Sequence, residues 1–442
     1  MRLLSASLLG FAIIVAVFFS VNETASLTND QETLVYVFGS EGVYIIDPKS
    51  KTVLSNITAA DGICTKSRYS RKNCSFGSEI AVKDELVFFS DSPGNRVHVI
   101  DVEKRQVIET IPTGGYPYDL YYLPWLEEVW VHTWTNSTFD VISTAGSLKK
   151  THKAIKAHVQ PGWTHGYMYA DQQVKDGKVG YVTHLFNPGL HQLDLSSKTY
   201  KEFVNVSSYG CTGTFNFAYS SVNKHAFFDC YGSNTLLELD VNTDAIVRKW
   251  NFTGTPYASP DGRFIVSLYK SVNASINMLL ASKVYVLLVS DKDNAPTLKA
   301  PIDIPGGVSD LVFNPKNSGV AYISLIYSDK IALLDLKLLK VTYIEGVGSV
   351  LSGPGMHVVG RPIIMAGSWI VTPATANNSV AIIDAGTREL HGMVPGVVGG
   401  KGLVAVHPKA KLPPPKSVAG SFYVSREMMV LILLSVLYVI VG

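Results

Sequence analysis

Charge is scarce in these 442 residues and favours neither sign: Asp, Glu, Lys and Arg make up 17% of the chain, and the net charge is +2. That balance excludes an acidic mineral-nucleating chain and a basic nucleic-acid binder, so no nucleic-acid partner is expected. Catalytic signatures are missing too. Neither a Gly-x-Ser-x-Gly elbow nor a His-Glu-x-x-His helix occurs, which removes the usual hydrolase readings. Gly399-Gly400 and the stretch from Gly346 to Gly355 lack the strand-to-helix setting of a phosphate loop and read as turns. No cofactor is expected. Helical periodicity is absent over any long stretch, which excludes a helical body. Cysteine is limited to four residues, none in CxxC spacing, which argues against zinc. Of the three possible disulfide pairings, Cys64 with Cys74 and Cys211 with Cys230 are favoured because each pair falls within one local unit.

Both ends are apolar. A basic start at Arg2, the apolar run Leu3 to Phe19 and the small residues Ser20, Ala25 and Ser26 read as a signal peptide over 1–25. At the other end, Met428 to Val441 is 14 residues long, about 21 Å as a helix against a hydrocarbon core of about 30 Å. It follows Ser417-Val418-Ala419 and an eight-residue spacer, Gly420 to Glu427. Small residues, spacer and tail match the signal for a glycosylphosphatidylinositol (GPI) lipid anchor, with Ser417 as the attachment residue. A short single-pass helix is the alternative. Eight sequons, at Asn22, Asn56, Asn73, Asn136, Asn205, Asn251, Asn273 and Asn377, suit a glycoprotein on the secretory route.

Between the ends one phrase returns: strand, loop, strand ending in apolar-apolar-Asp, turn, strand. Copies run Val35 to Leu54, Leu86 to Ile111, Val129 to Ile155, Val179 to Val204, His225 to Trp250, Phe264 to Ile304, Val320 to Ile344 and Trp369 to Val394. A spacing of roughly 40 to 55 residues is that of a four-stranded propeller blade. Inner strands are expected at Tyr118 to Tyr122, His165 to Tyr169, Phe215 to Tyr219, Ser309 to Phe313, Met356 to Val359 and Leu403 to His407. The last has no outer strands after it, and the first copy has no inner strand before it. Pairing the two closes the ring. The expected fold is all-β: a single closed β-propeller of eight four-stranded blades over 30–408, with seven blades as the alternative because the sixth copy is stretched. A Pro/Ser/Gly linker (409–427) and a hydrophobic tail (428–442) complete the chain. The repeated aspartates, Asp47, Asp101, Asp194, Asp240, Asp335 and Asp384, are expected to bond turn amides rather than to catalyse.

Ile108 to Tyr118, Asp176 to Thr183 and Ser259 to Val266 resemble the Tyr-Val-Thr-Asn type of propeller repeat, with His184 where the name has Asn. Glu128 to Val131, Gly254 to Ser267 and Val308 to Phe313 resemble the C-terminal region of the follistatin-related proteins four and five, over about residues 80 to 408. That resemblance implies a secreted propeller. The follistatin, EF-hand and immunoglobulin modules of those relatives have no counterpart in this sequence, so calcium binding is not implied.

Three groups are candidates for function. His132, His165 and His184 fall in neighbouring copies and suit zinc or copper if they converge; otherwise they are hydrogen-bonded strand residues. The loop Cys64 to Cys74 carries Lys66, Arg68, Arg71 and Lys72, a stapled basic surface for an anionic partner such as a glycosaminoglycan. Aromatic residues crowd Tyr116, Tyr118, Tyr121, Tyr122, Trp125, Trp130, Trp134, Trp163, Tyr167 and Tyr169, either as blade packing or as a recognition rim that includes Trp125, Trp134 and Trp163. The expectation is a non-enzymatic, membrane-tethered extracellular module that binds a protein or glycan. A structural component of an extracellular or mineralised matrix and a channel-histidine metal enzyme are the alternatives.

Overall fold

The computed structural model describes residues 32–65, 74–135, 138–146, 151–156, 167–273, 278–290, 295–299, 301–350 and 360–408. Within them the chain makes eight antiparallel sheets and no helix longer than one 3-10 turn. No helix among the described residues is long and apolar enough to cross a membrane. Asn22, Ser417 and both terminal apolar segments lie outside the described residues.

Each sheet is one blade, numbered here from the N-terminus. Blades 2 to 8 begin with inner strands Phe76–Val82, Pro117–Leu123, Met168–Ala170, Gly213–Ser220, Thr255–Ala258, Val308–Asn314 and Ile364–Ala366. Three further strands follow in sequence order in each, and in blade 6 the outermost is broken into two pieces. Blade 1 is built from both ends: Leu34–Phe38, Gly42–Asp47 and Thr52–Thr58 take Gly402–Val406 as their inner strand, with Leu34 opposite Val406 and Phe38 opposite Gly402. The Lys401 N–H donates to the Phe38 carbonyl at 2.8 Å and continues the ladder. Eight blades close the ring, and the seven-bladed alternative falls away. Blade 6 is stretched but regular: Phe264–Asn273 and Met278–Leu288 form a long hairpin whose outer edge is split between Thr297–Leu298 and Ile302–Asp303. In blade 8 the described inner strand is Ile364–Ala366; Met356 to Val359, expected there, lie outside the described residues. Pro362 has no N–H for a ladder, so regular pairing starts only after it.

Side-chain alternation sends successive residues of a strand to opposite neighbours. On Leu86–Asp91, Val87 and Phe89 pack with Phe38 and Ile45 of blade 1, while Phe88 packs with Val129 and Val131 of blade 3. Both faces of the second and third strands are buried, so these strands read as nearly continuous apolar runs, while the outer strands stay half exposed. The core is correspondingly a series of blade-to-blade clusters. One joins blade 1 to blade 2, others follow around the ring, and the last joins Val371, Val380 and Ile382 of blade 8 to Val35 and Leu403 of blade 1. Full burial of such a side chain contributes about 1.5–3 kcal/mol, so no seam is left unsupported.

The six repeated aspartates do what turn chemistry asks. Asp47 Oδ1 accepts the Lys49 N–H at 2.9 Å, Asp101 that of Lys104 at 2.8 Å, and Asp240 that of Asn242 at 2.9 Å. Asp194, Asp335 and Asp384 each accept two successive amides. Four residues after each aspartate the backbone turns left-handed, at Lys51, Arg105, Lys198, Asp244, Leu339 and Arg388.

Candidate functional site

Because every blade runs inner strand first, one face of the ring carries the chain's arrival at the inner strands and the loops between second and third strands. We call it the upper face. The lower face carries the loops that follow the inner strands. Four inner strands, in blades 2, 3, 5 and 7, break register near the upper face, between Phe76 and Glu79, Pro117 and Asp119, Phe215 and Phe217, and Val308 and Leu311. At or immediately beside each bulge stands a carboxylate or amide: Glu79, Asp119, Asn216 and Asp310. Bulges re-aim side chains and recur beside binding sites. Hydroxyls on the second strands take up the freed amides. Ser90 Oγ accepts from Gly77 and Ser78 at 3.1 and 3.0 Å, and Ser324 Oγ accepts from Asp310 at 3.1 Å. Thr183 Oγ1 likewise accepts from Tyr167 at 3.0 Å where the chain enters blade 4.

The resulting throat is acidic and phenolic. Asp310 is held on three sides, by the Tyr257 hydroxyl at 2.9 Å, the Leu311 N–H at 2.8 Å and the Ile363 N–H at 3.1 Å. Burial raises its pKa against those donors. Lys270 stands near it, its own pKa lowered by burial and partly restored by Asp310. Across the ring, Glu79 lies in a cavity of about 200 Å³ with Asp119, Ser40 and Lys401. A Cβ on Gly402 would fall 2.3 Å from Glu79 Oε1, so only glycine leaves room for this carboxyl in the closing strand. Burial pushes Glu79 up to about 7, partly offset by the Leu403 N–H. Asp229, beside Asn216, is raised to about 6 by burial. Glu79, Asp229 and Asp310 are thus all raised by burial, a feature common at functional sites.

Aromatic groups flank the throat on the upper face. Trp134 meets Tyr116 and Tyr118 edge-on, each at 5.4 Å between ring centres. Further round, Phe186 and Tyr231 form an edge-on pair that is 62% and 44% exposed. Of the expected rim residues, Trp134 is therefore on this face, and Trp163 lies outside the described residues. Trp125 is not with them. It sits at the opposite end of the strand Glu128–Thr133, on the lower face, where its Nε1–H donates to the Gly177 carbonyl at 3.0 Å and packs blade 3 on blade 4.

The histidines meet differently from expectation. His132 and His184 do approach across blades 3 and 4, but the third imidazole is His191, with its ring centre 4.7 Å from that of His184; His165 lies outside the described residues. Asp119 Oδ2 is 3.8 Å from His132 Nδ1. Burial, then His191 and His132, hold His184 down to about 3, so it is neutral. No group of three His, Cys, Asp or Glu residues among the described residues has the spacing to hold a metal.

Both disulfides have the expected pairing, Cys64–Cys74 and Cys211–Cys230, and both lie at the upper face. Lys66, Arg68, Arg71 and Lys72 fall outside the described residues, but the staple that closes their loop is fixed beside the Glu79 cavity: the Cys74 N–H donates to the Ser40 carbonyl at 2.7 Å. Asn56, Asn205, Asn251 and Asn377 are exposed. The first three stand on or directly after outer strands, and Asn377 follows the second strand of blade 8. Asn73 and Asn136 lie outside the described residues. Asn273 ends a strand on the upper side of blade 6.

Sequence reasoning missed Glu79, Asn216, Tyr257, Lys270 and Asp310. A signal was present: Gly114 to Leu120 and Gly306 to Leu311 both place an acid-Leu pair shortly after two glycines, and Glu79-Ile80 repeats the acid-aliphatic step. Period-two patterning treats such an acid as one more alternating position, and only the bulge shows where it points.

No family model matches the chain. Among solved structures it is similar to the dihydro-heme d1 dehydrogenase NirN in complex with DHE, at 15% identity and a TM-score of 0.60 over 85% of this chain and 75% of that one. It is also similar to Citrobacter koseri AztD, at 12% identity and 0.59 over 86% and 99%, and to Kuenenia stuttgartiensis hydrazine synthase, at 15% and 0.50 over 68% and 92%. At these identities the likeness is one of fold alone.

Proposed function

We propose that this protein is an extracellular, membrane-tethered glycoprotein that binds a protein or glycan partner at the upper face of its propeller without chemical turnover. The observation that carries the reading is the coincidence, on one face, of four bulge-borne polar residues in the throat with two aromatic sets, the half-buried Tyr116–Tyr118–Trp134 and the exposed Phe186–Tyr231. Aromatic anchors around a polar centre are the energetic core of recognition surfaces. The throat reads as a binding centre because Asp310 is held by three donors instead of being left as a free base. Two disulfides and four exposed sequon asparagines agree with an oxidising, glycosylating route. Resemblance to the follistatin-related propellers supports a secreted setting, and the terminal apolar signals support a lipid tether. Rigid blades present these groups at little ordering cost.

Two measurements test the reading together. Phosphatidylinositol-specific phospholipase should release the protein from expressing cells, and the released chain should bind a partner from arrays of extracellular proteins and glycans. Trp134→Ala with Phe186→Ala should abolish that binding while leaving the melting temperature unchanged. Full binding by the double variant would contradict the assignment of the upper face.

A further inference from the structure

The two faces of the ring differ in what they carry. The described sequon asparagines, Asn56, Asn205, Asn251, Asn273 and Asn377, all stand near or just beyond the upper ends of strands, so no described glycosylation site lies on the lower face. The chain leaves by that lower face. Gly402–Val406 runs down to it, and the His407 N–H is fixed on Asp84 Oδ1 at 3.1 Å. Nine residues lead from Pro408 to Ser417, at most about 32 Å of extended chain.

Lower-face cations fall into two groups. In blades 2 and 4, Lys83, Lys104, Lys175 and Lys198 each face a carboxylate at 2.5 to 3.1 Å. In blades 7, 8 and 1, beside the exit of the chain, Lys51, Lys316, Lys337, Lys340 and Arg388 make no ion pair among the described residues. The acids of this sector are mostly engaged: Asp47, Asp335 and Asp384 accept turn amides, Glu32 faces Arg105 at 3.8 Å, and only Glu389 is left over. Leu338, between Lys337 and Lys340 in the turn of blade 7, is 73% exposed, the highest value of any large hydrophobic side chain among the described residues. In sequence, Lys409, Lys411 and Lys416 continue the positive charge, with no acid before Glu427.

An apolar tip among unpaired cations suits a surface of lipid headgroups, where the cations meet phosphates and the leucine enters the interface. A sulfated glycan would answer the cations but not Leu338. A short tether also holds the effective concentration in the millimolar range, so contacts too weak to keep a free protein on a membrane suffice for an anchored one. We propose that the lower face of blades 7, 8 and 1 rests on the phospholipid bilayer, with Leu338 entering the headgroup layer and Lys316, Lys337, Lys340 and Arg388 meeting phosphates, which turns the upper face away from the cell. This deepens the reading of a C-terminal tether and takes its geometry from it.

Two measurements test it. Cells displaying the full-length protein are treated with a membrane-impermeant lysine reagent, before and after extraction in mild detergent, which frees the chain whatever holds it. Lys337 and Lys340 should react severalfold faster after extraction, and Lys249, exposed near the upper end of a blade 5 strand, should not change. In the second, the phospholipase-released chain is floated with phosphatidylcholine vesicles containing about one-fifth phosphatidylserine. Partitioning should fall about tenfold or more in the double variant Lys337→Gln, Lys340→Gln and severalfold in Leu338→Ser, and should be retained in Leu338→Trp, because tryptophan favours the interface. All three side chains are exposed, so the melting temperature should stay that of the parent. Equal labelling of Lys337 and Lys340 on cells and in the extract overturns the proposal, as does flotation untouched by Leu338→Ser. Heparin binding that is lost with the two lysines, without flotation, overturns it in favour of a sulfated glycan. If phospholipase releases nothing, the lipid tether fails, while the labelling contrast still decides the surface.

Discussion

Glu79 shows how a single side chain couples the closure of the ring to the chemistry of its throat. It sits on the inner strand of blade 2, yet it fills the space left by Gly402 and accepts a hydrogen bond from Leu403, both on the strand that completes blade 1. The folded protein holds the Glu79 proton up to about 7 against an ordinary 4.5. The protonated form therefore favours folding: this contribution is complete below about 4.5 and is lost as pH rises through about 7. Glu79→Gln should be more stable than the parent at about pH 8, by on the order of 1–2 kcal/mol, with the difference vanishing near pH 4. Denaturant titrations across that range check this; an offset of equal size at every pH would show that ionisation is not the cause. Two histidines act with the opposite sign. His98 is held down to about 4 by burial and the nearby Arg96, and His184 is held down to about 3. Their contribution is present above the ordinary 6.5 and is lost as pH falls through those values. A buried arginine adds a fixed tie. Arg361 is 0% exposed and donates to Thr372 Oγ1 and to the carbonyls of Leu325, Ser328 and Val347. Burial lowers its pKa to about 10, so it remains charged and locks blade 7 to blade 8.

Individual strands and turns repeat a small set of devices, and this is the scale at which the sequence is most readable. The apolar-apolar-Asp ending marks the third strand of six blades, because the aspartate must face the turn amides and the residue four places on must accept a left-handed backbone. Asp335→Ala should cost about 1 kcal/mol and Asp384→Ala about as much, each read from a shift in the denaturant midpoint at unchanged slope. A loss below a few tenths would mean that water replaces the carboxylate there. The pairing of Cys211 with Cys230 is legible for a similar reason, since it joins the start of an inner strand to the end of its neighbour within one blade. Replacing both by serine should destabilise the protein by about 3 kcal/mol, and an unchanged midpoint would deny the staple any role. Bulges are the device that the sequence hides. Ser90 and Ser324 end apolar second strands, as does Thr183, but their work becomes visible only when inner-strand amides leave the ladder. That is why Glu79 and Asp310 escape a reading based on alternation, and why Trp125 and Trp134, nine residues apart, end on opposite faces.

Across the whole molecule, the eightfold count and the joining of the two ends can be read directly from a last inner strand without partners and a first blade without an inner strand. The functional surfaces cannot, because they are made of residues far apart in sequence: Tyr257 and Asp310 in the throat, or Lys51, Leu338 and Arg388 on the lower face. A closed ring holds both surfaces rigid at once, and everything proposed for them depends on that closure. Hydrogen–deuterium exchange of the full-length protein tests it most directly. Closure predicts that those amides of Leu403–Val406 that donate to Leu34–Phe38 exchange as slowly as the amides of Val35–Val37, both segments opening only with global unfolding. Rapid exchange of Leu403–Val406 while Val87–Phe89 stays protected would show an open ring and contradict the account.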